Sequence, residues 1–238
     1  MDNYNNILNQ YSSDKGTAPI GKEESANGYG DLYEKYFIDF KNSAKNICDI
    51  GIDKGESLLA NREYFINANI HGVDIADKSI FQSERVFTHI VDQSREIDLD
   101  SFTRKMEESG VYFDIIIDDG SHDVSHQQMT FGKFFNLLRP GGLYIIEDMG
   151  TSFFVEGENL YGYTQTREKI ENNTIKFLTQ RPLKSPWIQE NILKEIDSEV
   201  DSIIILDKVN RNLPYSMVFS CENNYQIRSI TSIIRKND

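Results

Sequence analysis

Short apolar runs alternate along the chain with longer polar or amphipathic stretches, the pattern left by strands that are separated by crossover helices. Five runs have strand length: NICDIG (46–51), IHGVDI (70–75), VFTHIVD (86–92), FDIIID (113–118) and GLYIIED (142–148). Helix-length segments lie between them, near 55–66, 77–84, 97–109 and 123–138. The alternation predicts an α/β fold, with a doubly wound, mostly parallel sheet. The end of the chain breaks the pattern. SIIIL (202–206) and YSMVFS (215–220) are separated by too few residues for a parallel crossover, so an antiparallel hairpin is expected there, completing a seven-stranded sheet.

Composition narrows the class. A chain of 238 residues can bury a core as a single domain. Its net charge of −13, from 38 acidic against 25 basic residues, argues against nucleic acid as a partner and for a small molecule. No apolar run is long enough to cross a bilayer, so no membrane partner is expected. Cys48 and Cys221 belong to strand-like regions, and no cationic, apolar leader is visible; a reduced, cytoplasmic protein is expected.

Ligands of open α/β sheets bind beyond the carboxyl ends of the strands, so the chemistry is sought there. The first strand ends in DIGIDKGES, where Asp49, Gly51 and Gly55 are spaced D-x-G-x-x-x-G. Glycines allow close approach of a ligand to the backbone, and Asp49 can hold a cationic amine; an ordinary tight turn is the alternative. Asp74 ends the second strand, placed to accept from a ribose diol. Asp92 follows the third, with Gln93 and Ser94 as alternatives for contact with an adenine edge. The fourth strand delivers Asp118, Asp119 and His122, and the fifth Glu147 and Asp148. Neighbouring strands lie about 5 Å apart, so these carboxylates converge, and a hard divalent cation such as Mg²⁺ would relieve their repulsion. Helix capping is an alternative for Asp118 and Asp123.

Taken together, the strand ends resemble the class I S-adenosylmethionine-dependent methyltransferases, whose Rossmann-like sheet also ends in an antiparallel pair. The dinucleotide-binding alternative would require G-x-G-x-x-G, and GIDKGE lacks the second glycine. The resemblance implies a cofactor set of Asp49, Gly51, Asp74, Asp92, Gln93, Ser94 and Asp118, with Gly51 facing the methionine part, Asp74 the ribose and Asp92 the adenine.

DDGSH (118–122), HQQ (126–128) and IEDMGTSF (146–153), with SSDKG (12–16) and GYGDLYEKYF (28–37), resemble more narrowly the metal-dependent sugar O-methyltransferases of macrolide biosynthesis, of the mycinamicin 2''-O-methyltransferase type. That family implies Asp119, Glu147 and Asp148 as ligands of Mg²⁺ or Mn²⁺, His122 as general base, and Asp14, Lys15 and Tyr29 closing over the cofactor. It implies residues 1–45 as a cap and 46–238 as the catalytic region of a single domain, with an acceptor lid near 150–190. The expected acceptor is a sugar hydroxyl, on a nucleotide-activated sugar or a glycoside, in polysaccharide or natural-product biosynthesis. Methylation of a small amine or phenol, and a non-catalytic cofactor-binding role, stay as alternatives. A homo-oligomer is left open. His126 is a weaker candidate base, while His71 and His89 lie inside strands and read as structural; Phe153, Tyr161 and Tyr163 read as lid packing or acceptor contacts.

Overall fold

The structure, a computed structural model, describes residues 3–18, 28–160, 162–209 and 228–238. In chain order its elements are α1 (Tyr4–Gln10), α2 (Gly30–Phe37), β1 (Asn46–Ile50), α3 (Glu56–Tyr64), β2 (Asn69–Asp74), β3 (Val86–Ile90), α4 (Glu96–Glu108), β4 (Phe113–Asp118), α5 (Val124–Phe134), β5 (Leu138–Ile146), β6 (Asn159–Leu160), β7 (Tyr163–Thr164), α6 (Arg167–Glu171), α7 (Thr174–Thr179), α8 (Glu190–Glu199), β8 (Val200–Val209) and β9 (Arg228–Lys236). Seven strands form one sheet in the order β3-β2-β1-β4-β5-β9-β8. The first five are parallel, and β9 runs antiparallel to both β5 and β8.

Successive side chains of a strand point to opposite faces, and here both faces are covered. Ile47, Ile115, Ile117, Leu143 and Ile145 pack on one side with Tyr4, Tyr33, Phe37, Leu58 and Phe65, which brings the N-terminal helices into the core. Cys48, Ile116, Tyr144 and Ile146 pack on the other, with Phe102, Phe131 and Phe134 of α4 and α5. Full burial of one such side chain contributes about 1.5–3 kcal/mol, which explains the uninterrupted apolar runs.

Three expectations are corrected. The segment 77–84 forms only one 3₁₀ turn, Ser79–Phe81, because the Asp77 side chain accepts from the Ser79 amide at 2.8 Å and starts a turn in place of a helix. β5 starts at Leu138 and stops at Ile146, leaving Glu147 and Asp148 in the loop that follows. The partner of the strand containing SIIIL is β9, residues Arg228–Lys236, which the sequence pattern did not single out. YSMVFS (215–220) and Cys221 lie outside the described residues.

Candidate active site

The loops after β1, β2, β3, β4 and β5 meet at one edge of the sheet, where backbone packing decides their shape. Gly51 has φ +81°, and a Cβ built there would stand 2.1 Å from the Asp119 carbonyl oxygen. The Gly51 amide donates to the Val73 carbonyl at 2.8 Å and the Asp119 amide to the Ile50 carbonyl at 3.0 Å. The glycine therefore lets the end of β4 close against the end of β1. Asp49 is fully buried, accepting from Ser57 Oγ at 2.9 Å and Asn61 Nδ2 at 3.1 Å; burial pushes its carboxyl up to about 6. It fastens α3 to the sheet, whereas the sequence reading aimed it at a ligand amine.

Asp74 accepts from the Ala76 amide at 2.8 Å and the Asp53 amide at 3.2 Å, tying the glycine loop to the end of β2. Asp92 accepts from the Ser94 amide and hydroxyl at 2.9 and 2.6 Å, which shapes the turn into α4. Gln93 is buried. Its amide nitrogen donates to Asp118 Oδ1 at 2.9 Å and to Thr130 Oγ1 at 3.1 Å, and its oxygen accepts from the Ser121 amide at 2.8 Å. These three bonds engage the side chain in bracing the β4 loop. Asp118, buried beneath that loop, has its carboxyl pushed up to about 7 by burial.

The groups that converge are Asp119, His122 and Asp148: one ligand atom from each lies within 4.8 Å of the other two. His122 Nε2 stands 3.9 Å from Asp119 Oδ1 and 3.9 Å from Asp148 Oδ2. His122 and Asp148 have φ of +55° and +50°, a left-handed conformation unfavourable for side chains other than glycine and found preferentially at functional sites. Burial, then Asp119, raises the Asp148 carboxyl above its ordinary value. Glu147 faces inward. It is buried and pairs with Lys15 Nζ at 2.8 Å, and the same ammonium contacts Asp119 Oδ2. Burial raises the Glu147 carboxyl, and Lys15 opposes that rise.

The N-terminal segment thus reaches the carboxylates themselves. Tyr29, fully buried, donates to Asp148 Oδ1 at 3.2 Å and stacks on Tyr33 with ring centroids 5.6 Å apart. Asp14 stays exposed beside Lys15. The sequence placed Lys15 and Tyr29 over the cofactor and missed their carboxylate partners, 104 or more residues away for each contact.

The start of α5 forms a second layer. Asp123 caps the helix, accepting from the Ser125 amide at 2.9 Å, and pairs with Lys169 Nζ at 2.6 Å. His126 shares a hydrogen bond with Ser121 Oγ at 2.9 Å and meets the Tyr163 ring edge-on at 4.7 Å. Gln127 donates to the Glu147 carbonyl at 3.0 Å, and Gln128 to the Asn172 carbonyl at 2.6 Å. HQQ is thereby accounted for: the triplet ties α5 to the β5 loop and to the segment 163–174. Phe153 is exposed, and Tyr161 lies outside the described residues. His71 and His89 stack 5.4 Å apart, remote from the cluster along their strands, with Nδ1 of the first 3.2 Å from Nε2 of the second.

Two carboxylates beside an imidazole, with Glu147 as a third carboxylate next to them, offer oxygen ligands suited to a hard divalent cation. A parallel sheet carrying this cluster beyond its strand ends, with an antiparallel strand inserted before its last edge strand, has the architecture of the class I methyltransferases. The chain belongs to the methyltransferase-domain family, whose model matches residues 41–212. It is 36% identical over 140 residues to the 8-demethyl-8-alpha-L-rhamnosyl tetracenomycin-C 2'-O-methyltransferase of Streptomyces olivaceus, covering 56% of this chain and 36% of that protein. It is also 36% identical over 129 residues to the mycinamicin VI 2''-O-methyltransferase of Micromonospora griseorubida, covering 51% of this chain and 31% of that protein. The match thus spans roughly a third of the length of these curated relatives. Among solved structures, the MycE methyltransferase of the mycinamycin biosynthetic pathway, in complex with Mg, SAH and mycinamycin VI, superposes with a TM-score of 0.68 at 24% identity, covering 99% of this chain and 55% of that one. An O-methyltransferase from Bacillus cereus in complex with SAH gives 0.53 at 17% identity, covering 100% and 92%. These likenesses show the fold. Among the described residues no helix is long and apolar enough to cross a membrane.

Proposed function

We propose that the chain transfers a methyl group from S-adenosylmethionine to a sugar hydroxyl, with Mg²⁺ or Mn²⁺ at Asp119, Asp148 and Glu147 and with His122 as general base. The observation that carries the reading is the meeting of Asp119, His122 and Asp148 within 4.8 Å beside the glycine loop. When bound, the cation would make a coordinated hydroxyl more acidic. His122 accepts the hydroxyl proton while an oxygen lone pair attacks the methyl carbon, and the electrons of the broken C–S bond pass to sulfur. Asp119 and Asp148 each stand 3.9 Å from Nε2. The loop after β1, at Gly51, would face the methionine part of the cofactor and Asp74 its ribose.

The rhamnosyl tetracenomycin and mycinamicin VI in the relatives' names favour a glycoside as acceptor. A nucleotide-activated sugar, as used for polysaccharides, is the finer alternative. Residues up to 45 act as a cap and 150–190 as an acceptor lid within one catalytic domain, a division supported by Lys15 and Tyr29 on the carboxylates and by Lys169 on Asp123. The test is a panel of glycosides, nucleotide sugars, catechols and amines with labelled S-adenosylmethionine, read by mass for one added methyl. His122→Ala should lower turnover on the accepted sugar about 10²- to 10⁴-fold, with cofactor affinity unchanged. Methyl transfer confined to amines, or full turnover after metal removal, would overturn the reading.

A further inference from the structure

Lysine is almost never fully buried without partners. Lys15 is only 2% exposed, and its partners are two carboxylates of the cluster, Asp119 Oδ2 and Glu147 Oε2. Three carboxylates, Asp119, Glu147 and Asp148, stand together here, and Asp49 is close enough to act on the same ammonium. Buried charges without compensation are costly, so a cation is needed to keep this group assembled. The chain supplies one from its own N-terminal segment.

A divalent ion requires the same oxygen lone pairs at about 2.0–2.6 Å, and two cations drawn to the same oxygens repel strongly at low dielectric. We propose that the Lys15 ammonium is a resident cation of the cluster that competes with the divalent metal for Asp119 and Glu147, so that metal entry is coupled to the seating of the N-terminal segment. The proposal rests on the metal-dependent reading above and goes beyond it by naming what the metal must displace. The coupling is built into the backbone. The Lys15 carbonyl accepts from the Gly30 amide at 2.8 Å, the Gly16 carbonyl accepts from the Gly28 amide at 2.8 Å, and Tyr29 beside them reaches Asp148. Asn9 Oδ1 of α1 accepts from the Thr17 and Ala18 amides at 2.9 Å each, which ties the turn carrying Lys15 to α1. Withdrawal of the ammonium therefore draws on the same contacts that position Tyr29 on Asp148.

Calorimetric titration of the full chain with Mg²⁺ or Mn²⁺, without acceptor, tests the competition in wild type and in Lys15→Met. The variant should bind the metal about 5- to 150-fold more tightly, the ordinary span of coupling between linked sites. Its metal-free melting temperature should fall, and the rise on adding metal should exceed that of wild type. Equal or weaker binding by a folded Lys15→Met, with wild type still binding, overturns the competition and leaves the metal reading standing; binding by neither overturns both. If Lys15→Met folds only when metal is supplied, the ion is replacing the ammonium, as proposed. If it folds under neither condition, Lys15→Met/Glu147→Gln is compared with Glu147→Gln alone. Tighter binding by the double variant supports the competition, and equal or weaker binding refutes it.

Discussion

Gly51→Ala places a methyl group where the residues after β4 pack against those after β1. Two costs arise. Alanine at φ +81° bears the left-handed penalty of about 1–2 kcal/mol. Its Cβ also meets the Asp119 carbonyl oxygen at 2.1 Å and the Gly120 Cα at 2.7 Å, backbone atoms held by the bond from the Asp119 amide to Ile50, and such overpacking costs about 1–3 kcal/mol. The smaller entropy of the unfolded alanine chain returns about 0.4–1 kcal/mol, leaving a net loss of about 1–5 kcal/mol. Gly110→Ala is the control, because Gly110 has φ +65° and nothing within 4 Å of its added Cβ. It bears the conformational penalty alone. The difference between the two variants in urea unfolding, about 1–3 kcal/mol, then measures the packing of the loops. Moving the Asp119 backbone also moves its carboxylate, so Gly51→Ala should bind Mg²⁺ more weakly while Gly110→Ala should not. Equal destabilisation of the two variants, or unchanged metal binding in Gly51→Ala, would refute the view that this glycine exists to admit β4.

Burial, followed by Lys105, pushes the His71 and His89 imidazoles from 6.5 to about 4, so the unfolded chain binds the more protons between those values and stability falls as pH drops from about 6.5 to about 4. His71→Phe should lessen that acid loss by about 2 kcal/mol, measured as urea stability against pH; an unchanged slope would discount the pair. Lys169→Met leaves the Asp123 carboxylate buried without its ion pair and should cost about 3 kcal/mol, with faster proteolysis at the exposed residues 166–168; protection equal to wild type would remove Lys169 as the latch of that segment. Asp74→Ala should weaken S-adenosylhomocysteine binding by about 1.5–3 kcal/mol in calorimetry, with a smaller loss of stability from the freed Asp53 and Ala76 amides.

Strands β1, β2, β4 and β5 were legible because they are largely buried on both faces and so largely apolar, a property carried by consecutive residues; β3, at the sheet edge, kept apolar residues although Phe87 and Ile90 are exposed. The site edge was legible for a related reason: acids and glycines at Asp49, Gly51, Asp74 and Asp119 interrupt apolar runs where only a turn or a ligand explains them. What each acid does was decided in three dimensions. Asp49 ended up fastening α3 to the sheet and Asp118 bracing the β4 loop, Gln93 placed its amide on three neighbours, and Glu147 turned inward while Asp148, the next residue, joined His122.

Strand β9 and the carboxylate partners of Lys15 escaped the sequence for the same physical reason. Local periodicity states which face of an element is apolar, and nothing in it states which distant element will cover that face. β9 is held by antiparallel pairing with β5 and β8, and Lys15 by carboxylates 104 and 132 positions away. The sequence by itself determined the α/β architecture and the edge where its chemistry collects, since both follow from burial and turn formation within a few residues. Only the tertiary structure decided which charges face one another, because an ion pair depends on the distance between groups that the folded sheet brings together and the linear chain keeps apart.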